Sequence, residues 1–212
     1  ALIRYIENFT WKSWDPLAEM YYDALRYYKG NEGASDAYCG PGNFTAADDG
    51  YGVFGCESNK PWIDPIIDWC QKNNILILND EFPSQDHDSI PGSAFNAGYT
   101  VSEPFSGANA KPYDIDTSYW TDLVGDWEKA NNPDSWYVAS VLGSADAPDC
   151  SSPKTITDLS DAYGLCPNAE EISTDVKGNF NLAGLAYHAF THDLRTDMQG
   201  MQNVRTWVFA FK

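Results

Sequence analysis

Cations are scarce in this sequence. Thirteen Lys and Arg face 31 Asp and Glu, for a net charge of −18 over 212 residues and a pI near 4.2. A field of that sign repels phosphate backbones and anionic headgroups, so nucleic acid and membrane surfaces are excluded as partners. Long apolar runs are missing as well. The longest pure stretch, Ile75-Leu76-Ile77-Leu78, is far short of the ~18 residues that a membrane span needs. No C-x-x-C pair occurs, which removes zinc ribbons and thioredoxin-like redox chemistry. There is no Gly-x-Ser-x-Gly elbow for nucleophilic catalysis. Cys39-Gly40-Pro41-Gly42 is glycine-rich but lacks the Lys of a phosphate-binding loop.

Apolar and aromatic residues are plentiful by contrast, at 43% and 15% of the chain, enough to bury a core and to exclude wholesale disorder. One domain over residues 1–212 is expected. Five cysteines are present. Cys39 and Cys56 flank one loop rich in Gly and Asp, and Cys150 and Cys166 flank another rich in Ser, Asp and Pro. Each loop suits a staple worth ~3 kcal/mol and suggests an oxidising compartment. Connectivity does not follow from spacing, and Cys70 is the odd one in a simple pairing of neighbours. The opening Ala-Leu-Ile-Arg-Tyr has neither the charged nor the apolar region of a signal peptide, and no initiator Met. The expectation is a mature or cut piece of a secreted protein.

Residues 15–29 carry the strongest helix signal. Asp15 is placed to cap, Pro16 suits the first helical position, and Glu19 faces the positive dipole end. Leu17, Tyr21, Ala24, Leu25 and Tyr28 follow the 3.6-residue period before Gly30 ends it. Pro65 to Cys70 reads as a short helix, and Ile75 to Leu78 as a buried strand with Asn79-Asp80 at its carboxyl end. Ser118 to Lys129 reads as a helix with Trp120, Leu123, Val124 and Trp127 on one face. Trp136 to Leu142 has strand composition. Leu182 to Leu194 is a second strong helix, striped by Leu182, Leu185, Ala186, Ala189 and Phe190. Val204 to Phe211 is a closing strand, apolar on both faces, as suits a strand covered by helices on each side. The order predicts an open α/β sheet interrupted by irregular insertions at about 31–60 and 81–180.

In such a sheet ligands sit beyond the carboxyl ends of the strands, which makes Asp80 the first candidate site residue. Asp86 and Asp88 follow on the same loop. Several carboxylates on one loop suit a hard cation with oxygen ligands, Ca²⁺ or Mg²⁺, although solvated acids are common in so acidic a chain. His188 and His192 share a helix face at i, i+4, but the Glu of His-Glu-x-x-His is absent, so packing is the favoured role. The aromatics invite a sugar-binding reading, yet no pattern isolates them from the core.

Three segments together resemble the von Willebrand factor A-like region of the PilY/PilC family, the large type IV pilus tip-associated adhesins. They are Asp15-Pro16-Leu17-Ala18-Glu19 with Ala24-Leu25-Arg26-Tyr27-Tyr28; Trp69-Cys70-Gln71-Lys72-Asn73 running into Ile75-Leu76-Ile77-Leu78-Asn79-Asp80; and Leu182-Ala183-Gly184-Leu185-Ala186-Tyr187 running through Thr191-His192-Asp193-Leu194-Arg195 to Gln202-Asn203-Val204. The resemblance implies a Rossmann-like open sheet with helices on both faces and a metal-ion-dependent adhesion site at its upper edge. It also implies that the chain starts after the first strand, since no Asp-x-Ser-x-Ser occurs. Asp15 stands where that site has Thr, and Asp80 matches its Asp. The two would share Ca²⁺ or Mg²⁺ as metal ligands, with Asp86 and Asp88 the further metal candidates.

The function expected is extracellular and non-catalytic: adhesion or protein–protein interaction on a pilus or other filament, with filament subunits or a surface receptor as partners. A structural filament or surface-layer subunit is one alternative, needing no metal. A metal-dependent hydrolase using Asp80, Asp86 and the histidine pair is the other.

Overall fold

The computed structural model describes residues 17–30, 63–79, 90–93, 115–131, 140–141, 158–163 and 179–210. In chain order the elements are helix α1 (Leu17–Tyr28), strand β1 (Asn73–Asn79), helix α2 (Thr117–Asn131), strand β2 (Ser140–Val141), a short 3₁₀ turn (Leu159–Asp161), strand β3 (Ala162–Tyr163), helix α3 (Asn181–Thr191) and strand β4 (Val204–Ala210). The expected mixture of helix and strand is present. The five elements α1, β1, α2, α3 and β4 stand where the periodicity puts them, within a few residues at each end.

β1 and β4 pair in parallel over seven residues, from Asn73 beside Val204 to Asn79 beside Ala210. Ile75 and Ile77 share one face with Val204 and Thr206, and that face receives the helices. Ala18, Tyr21, Tyr22 and Leu25 of α1 join Leu185 and Ala189 of α3, Ile90, Ile115, Leu194 and Val204 in one core cluster. The α1 contributors Ala18, Tyr21, Tyr22 and Leu25 recur at three- and four-residue steps, and the same side of the helix also buries Arg26. Two tyrosines fix its direction. The Tyr28 hydroxyl donates to the Asn74 carbonyl at 2.9 Å, and the Tyr21 hydroxyl lies 2.7 Å from Thr206 Oγ1. The carboxyl end of α1 therefore lies over the start of β1, and the helix runs opposite to the strands.

The other sheet face is not covered by helices among the described residues. Leu76 stands beside Trp207 and Leu78 beside Phe209, and all four are more than half exposed. Of the helices expected on each side, the described residues supply those of one face. Apolar residues on both faces of β4 do not by themselves guarantee two covering layers.

Two expectations are corrected. Pro65 to Cys70 is not a helix. Asp64 Oδ1 accepts from the Ile66 amide at 2.9 Å and Asp68 Oδ1 from the Cys70 amide at 3.3 Å, so side chains take the bonds a helix would need. On α2 the buried residues are Thr117, Thr121 and Gly125, while Leu123 and Trp127 face outward. The inner stripe is small because α2 and α3 cross closely. A Cβ on Gly184 of α3 would lie 2.8 Å from Thr121 Cα, and one on Gly125 would lie 2.7 Å from Leu159 Cβ. Asp122 ties the same turn down, accepting from the Ser160 amide at 2.8 Å and from its hydroxyl at 3.0 Å. Of the strand expected at 136–142, residues 140–141 pair antiparallel with 162–163, and the remainder lies outside the described residues.

Burial pushes the Tyr21 phenol up to about 12, against the opposing effect of its bond to Thr206. A phenol raised above its unfolded value of ~10 stabilises the fold fully below pH ~10 and loses that contribution as pH climbs toward 12. The loss is about 1.4 kcal/mol per pH unit. Thermal melting of the wild type should therefore fall steeply above pH ~10, with Tyr21→Phe falling less steeply; superimposable curves would refute this.

Candidate functional site

The upper rim of the sheet is where β1 ends at Asn79 and β4 at Ala210. Because α1 runs opposite to the strands, its first turn is directed to that same rim, with Glu19 in it. The candidate acids Asp15, Asp80, Asp86 and Asp88 lie outside the described residues, as do Cys39, Cys56, Cys150 and Cys166. Among the described residues no three His, Cys, Asp or Glu side chains come together to hold a metal ion. Cys70 is a free, exposed thiol. Its Sγ lies 3.4 Å from Asp68 Oδ1, and that bond and the adjacent negative charge push its pKa up, which makes it a poor nucleophile.

The two histidines occupy a packed position. Their rings stack with centroids 4.6 Å apart and 15° between planes. Trp120 of α2 packs against both, at 5.2 Å from His188 and 4.5 Å from His192. His188 is buried, and the His192 amide closes the helix by donating to the His188 carbonyl at 3.0 Å. The Thr191 hydroxyl lies 2.9 Å from His192 Nδ1. The i, i+4 spacing thus joins α3 to α2. Asp193, which follows the pair, accepts from the Arg195 amide at 3.1 Å and the Gln202 amide at 2.9 Å.

The densest polar construction is at the opposite, lower edge, where the strands begin. Arg195 is almost wholly buried and grips Asp197 through Nε and Nη2 at 2.8 and 2.9 Å. Its Nη1 reaches Asp64 at 2.8 Å. The guanidinium holds both carboxyls below the usual carboxylate range. Gly30, at φ +71°, leaves room for it, since a Cβ there would lie 3.2 Å from Arg195 Nη1. Gln202 is also buried, and its Nε2 donates to the Trp69 carbonyl at 2.7 Å and the Gln199 carbonyl at 3.2 Å. Asn73 Nδ2 donates to the Asn203 carbonyl at 3.4 Å, and Asn203 Nδ2 to the Phe190 carbonyl at 2.7 Å. The second and third motif segments therefore meet in space, and several of their polar residues form a clasp between two turns. Sequence reasoning missed it. The alternation Asp193-x-Arg195-x-Asp197 was the available signal.

Comparisons with known proteins agree with these segments. A family profile described as "PilY1 homolog, second domain" matches residues 3–189. A type IV pilus biogenesis factor PilY1 homolog from Xylella fastidiosa (strain Temecula1) is 27% identical over 220 residues, which cover 98% of this chain and 15% of that relative. The chain thus spans a small part of the length of the curated relative that it matches. No solved structure matches it.

Proposed function

Because this chain belongs to the PilY1 homolog family, matched to the second domain of that family over most of its length, we propose that it is a von Willebrand factor A-like, non-catalytic part of an extracellular type IV pilus-associated protein. It acts in this reading by adhesion or by contact with pilus components. One observation supports this architecture: the seven-residue parallel pairing of β1 with β4 beneath a helix that runs antiparallel to them, from their carboxyl ends back to the start of β1. That is the crossover geometry of an open α/β sheet, whose ligands bind at the rim. The relative's printed name, a type IV pilus biogenesis factor, supports the pilus setting. Immunoblotting of sheared pili from cells producing the tagged full-length protein tests it. Co-purification with pili is expected, and retention solely in the cytosol would overturn it.

At the rim, Asp15 and Asp80 share Ca²⁺ or Mg²⁺ in this proposal, two carboxylates supplying oxygen ligands to a hard cation. Metal that binds only the native state stabilises it by about 2.7 kcal/mol at a hundred times its dissociation constant. Saturating Ca²⁺ should therefore raise the melting temperature, and Asp80→Ala should abolish the rise. An undiminished rise in that variant would place the ions elsewhere on the acidic surface.

A second reading, a structural filament or surface-layer subunit, is favoured by the exposed Leu76, Leu78, Trp207 and Phe209 face. Contiguous apolar area of this kind marks contact surfaces. Sedimentation velocity separates the two: ordered self-assembly supports the subunit, and a stable monomer opposes it.

A further inference from the structure

The lower edge of the sheet also holds a cleft of about 360 Å³, bounded on one side by residues 69–74 and on the other by Gly200, Met201, Asn203 and Arg205. Its size lies within the range of small-molecule sites. Its charge is opposite to that of the chain as a whole. Lys72 and Arg205 both line it, and neither forms an ion pair with a described residue, whereas Arg195 nearby is fully engaged by Asp64 and Asp197. Two cations that pair with no described acid, lining one cleft of a −18 chain, form a local positive site. At physiological salt the Debye length is ~8 Å, so a ligand seated between these two cations feels them more strongly than acids beyond that range; Asp68, bonded to Cys70 of the wall, is the described carboxylate at the margin of the cleft.

The walls are fixed in advance. Asn74 is held by Trp207 Nε1, which donates to its Oδ1 at 3.2 Å, and by its own Nδ2 bond to the Lys72 carbonyl at 3.4 Å. The Asn203 amide nitrogen is spent on the Phe190 carbonyl, which leaves its Oδ1 as an acceptor. The Gln202 clasp on the Trp69 carbonyl holds the two walls together. Trp69 lies over Gly200, where a Cβ would come within 3.9 Å of its ring, and the indole remains 55% exposed. The cleft thus offers two cations, amide acceptors and an open aromatic surface together.

We propose that this cleft binds a carboxylated sugar, with Arg205 and Lys72 on the carboxylate, the Asn203 amide oxygen accepting from a hydroxyl, and Trp69 against the sugar's C–H face. Inorganic phosphate or a bare carboxylate would use the cations but would supply too few donors for the amide oxygen and nothing for the indole. A sugar acid satisfies all three, and charge-assisted bonds to a guanidinium are the strongest of them. The inference goes beyond the pilus reading and does not depend on it, since the cleft lies at the edge opposite the cation rim.

Isothermal titration of the intact chain tests it with four probes: N-acetylneuraminic acid, galacturonic acid, galactose and a short peptide with a free carboxyl terminus. The first two distinguish an animal-type from a plant- or bacterial-type acid sugar. Binding of at least one, with a dissociation constant of about 1 mM or tighter, is expected, and galactose should bind at least tenfold more weakly. Arg205→Gln and Trp69→Ala should each weaken the acid sugar tenfold or more, in variants whose melting temperature is unchanged. Equal binding of galactose, binding of the peptide alone, no binding of any probe, or full affinity in Arg205→Gln would each overturn the assignment. If a variant unfolds, protection of the Trp69 indole resonance by the ligand in the wild type decides the case.

Discussion

Gly184→Val should lower stability by about 3 kcal/mol, with Gly184→Ala costing about 2. The reason lies across the helix pair. A Cβ on Gly184 would stand 2.5 Å from the Thr121 amide nitrogen and 2.8 Å from its Cα. These are backbone atoms of a helix tied to the Leu159–Asp161 turn by Asp122, so they cannot yield as a flexible side chain would. The two helices must separate, and the Trp120–His188–His192 contacts separate with them. At ~2–4 °C per kcal/mol for a chain of this size, the Val variant should melt about 10 °C below wild type. Adding Thr121→Ala should restore only a part, because the amide and Cα remain. A Val variant that melts with wild type would mean that the helices do not cross this closely.

Leu25→Ala should cost about 3–4 kcal/mol, the range for truncating a fully buried leucine that leaves a cavity. Leu25 has no exposed surface and sits among Tyr21, Tyr22 and the residues of α3 and β4. The site cannot collapse easily, since Tyr21 and Tyr28 are pinned to the strands by their hydroxyls. Met20 on the same helix is exposed and supplies the control: Met20→Ala should stay within about 0.5 kcal/mol. Urea denaturation of the two variants makes the comparison, and equal midpoints would remove α1 from the core.

These two residues mark the limits of what was legible beforehand. Leu25 is readable from periodicity alone, because a helix that buries one face repeats its apolar residues every three or four positions. The same holds on α3 for Leu185 and Ala189, although Phe190 of the expected stripe is exposed, and the four-residue run at Ile75 finds β1 because such runs suit a parallel pair. Gly184 is not readable in that way. Periodicity assigns large apolar residues to the inside, and on α2 it chose Leu123 and Trp127 where the structure buries Thr121 and Gly125. Close crossing reverses the preference, and closeness belongs to a pair of helices rather than to either sequence. The residues 65–70 mislead for a different, local reason: Asp64 and Asp68 each take the backbone amide two residues on, a competition with the helix that apolar periodicity does not register. At the site, the sequence singled out acids at the upper rim, whereas the polar clasp of Arg195 and Gln202 joins turns far apart in the chain. Only the meeting of those turns gives Lys72 and Arg205 a shared cleft.

The parallel pairing of β1 with β4 has a consequence for how the molecule comes to exist. Asn74 and Trp207 bond across the strands although 133 positions separate them. Closing so large a loop precedes any reward from the contact, so high contact order should make the sheet the slow step of folding. Until β4 has been synthesised, the uncharged, proline-free segment Asn73–Asn79 is an unsatisfied strand of the kind that seeds aggregation. That segment is therefore exposed to mispairing for as long as the 133 positions between Asn74 and Trp207 remain to be made and folded, and it is shielded only once β4 docks beside it.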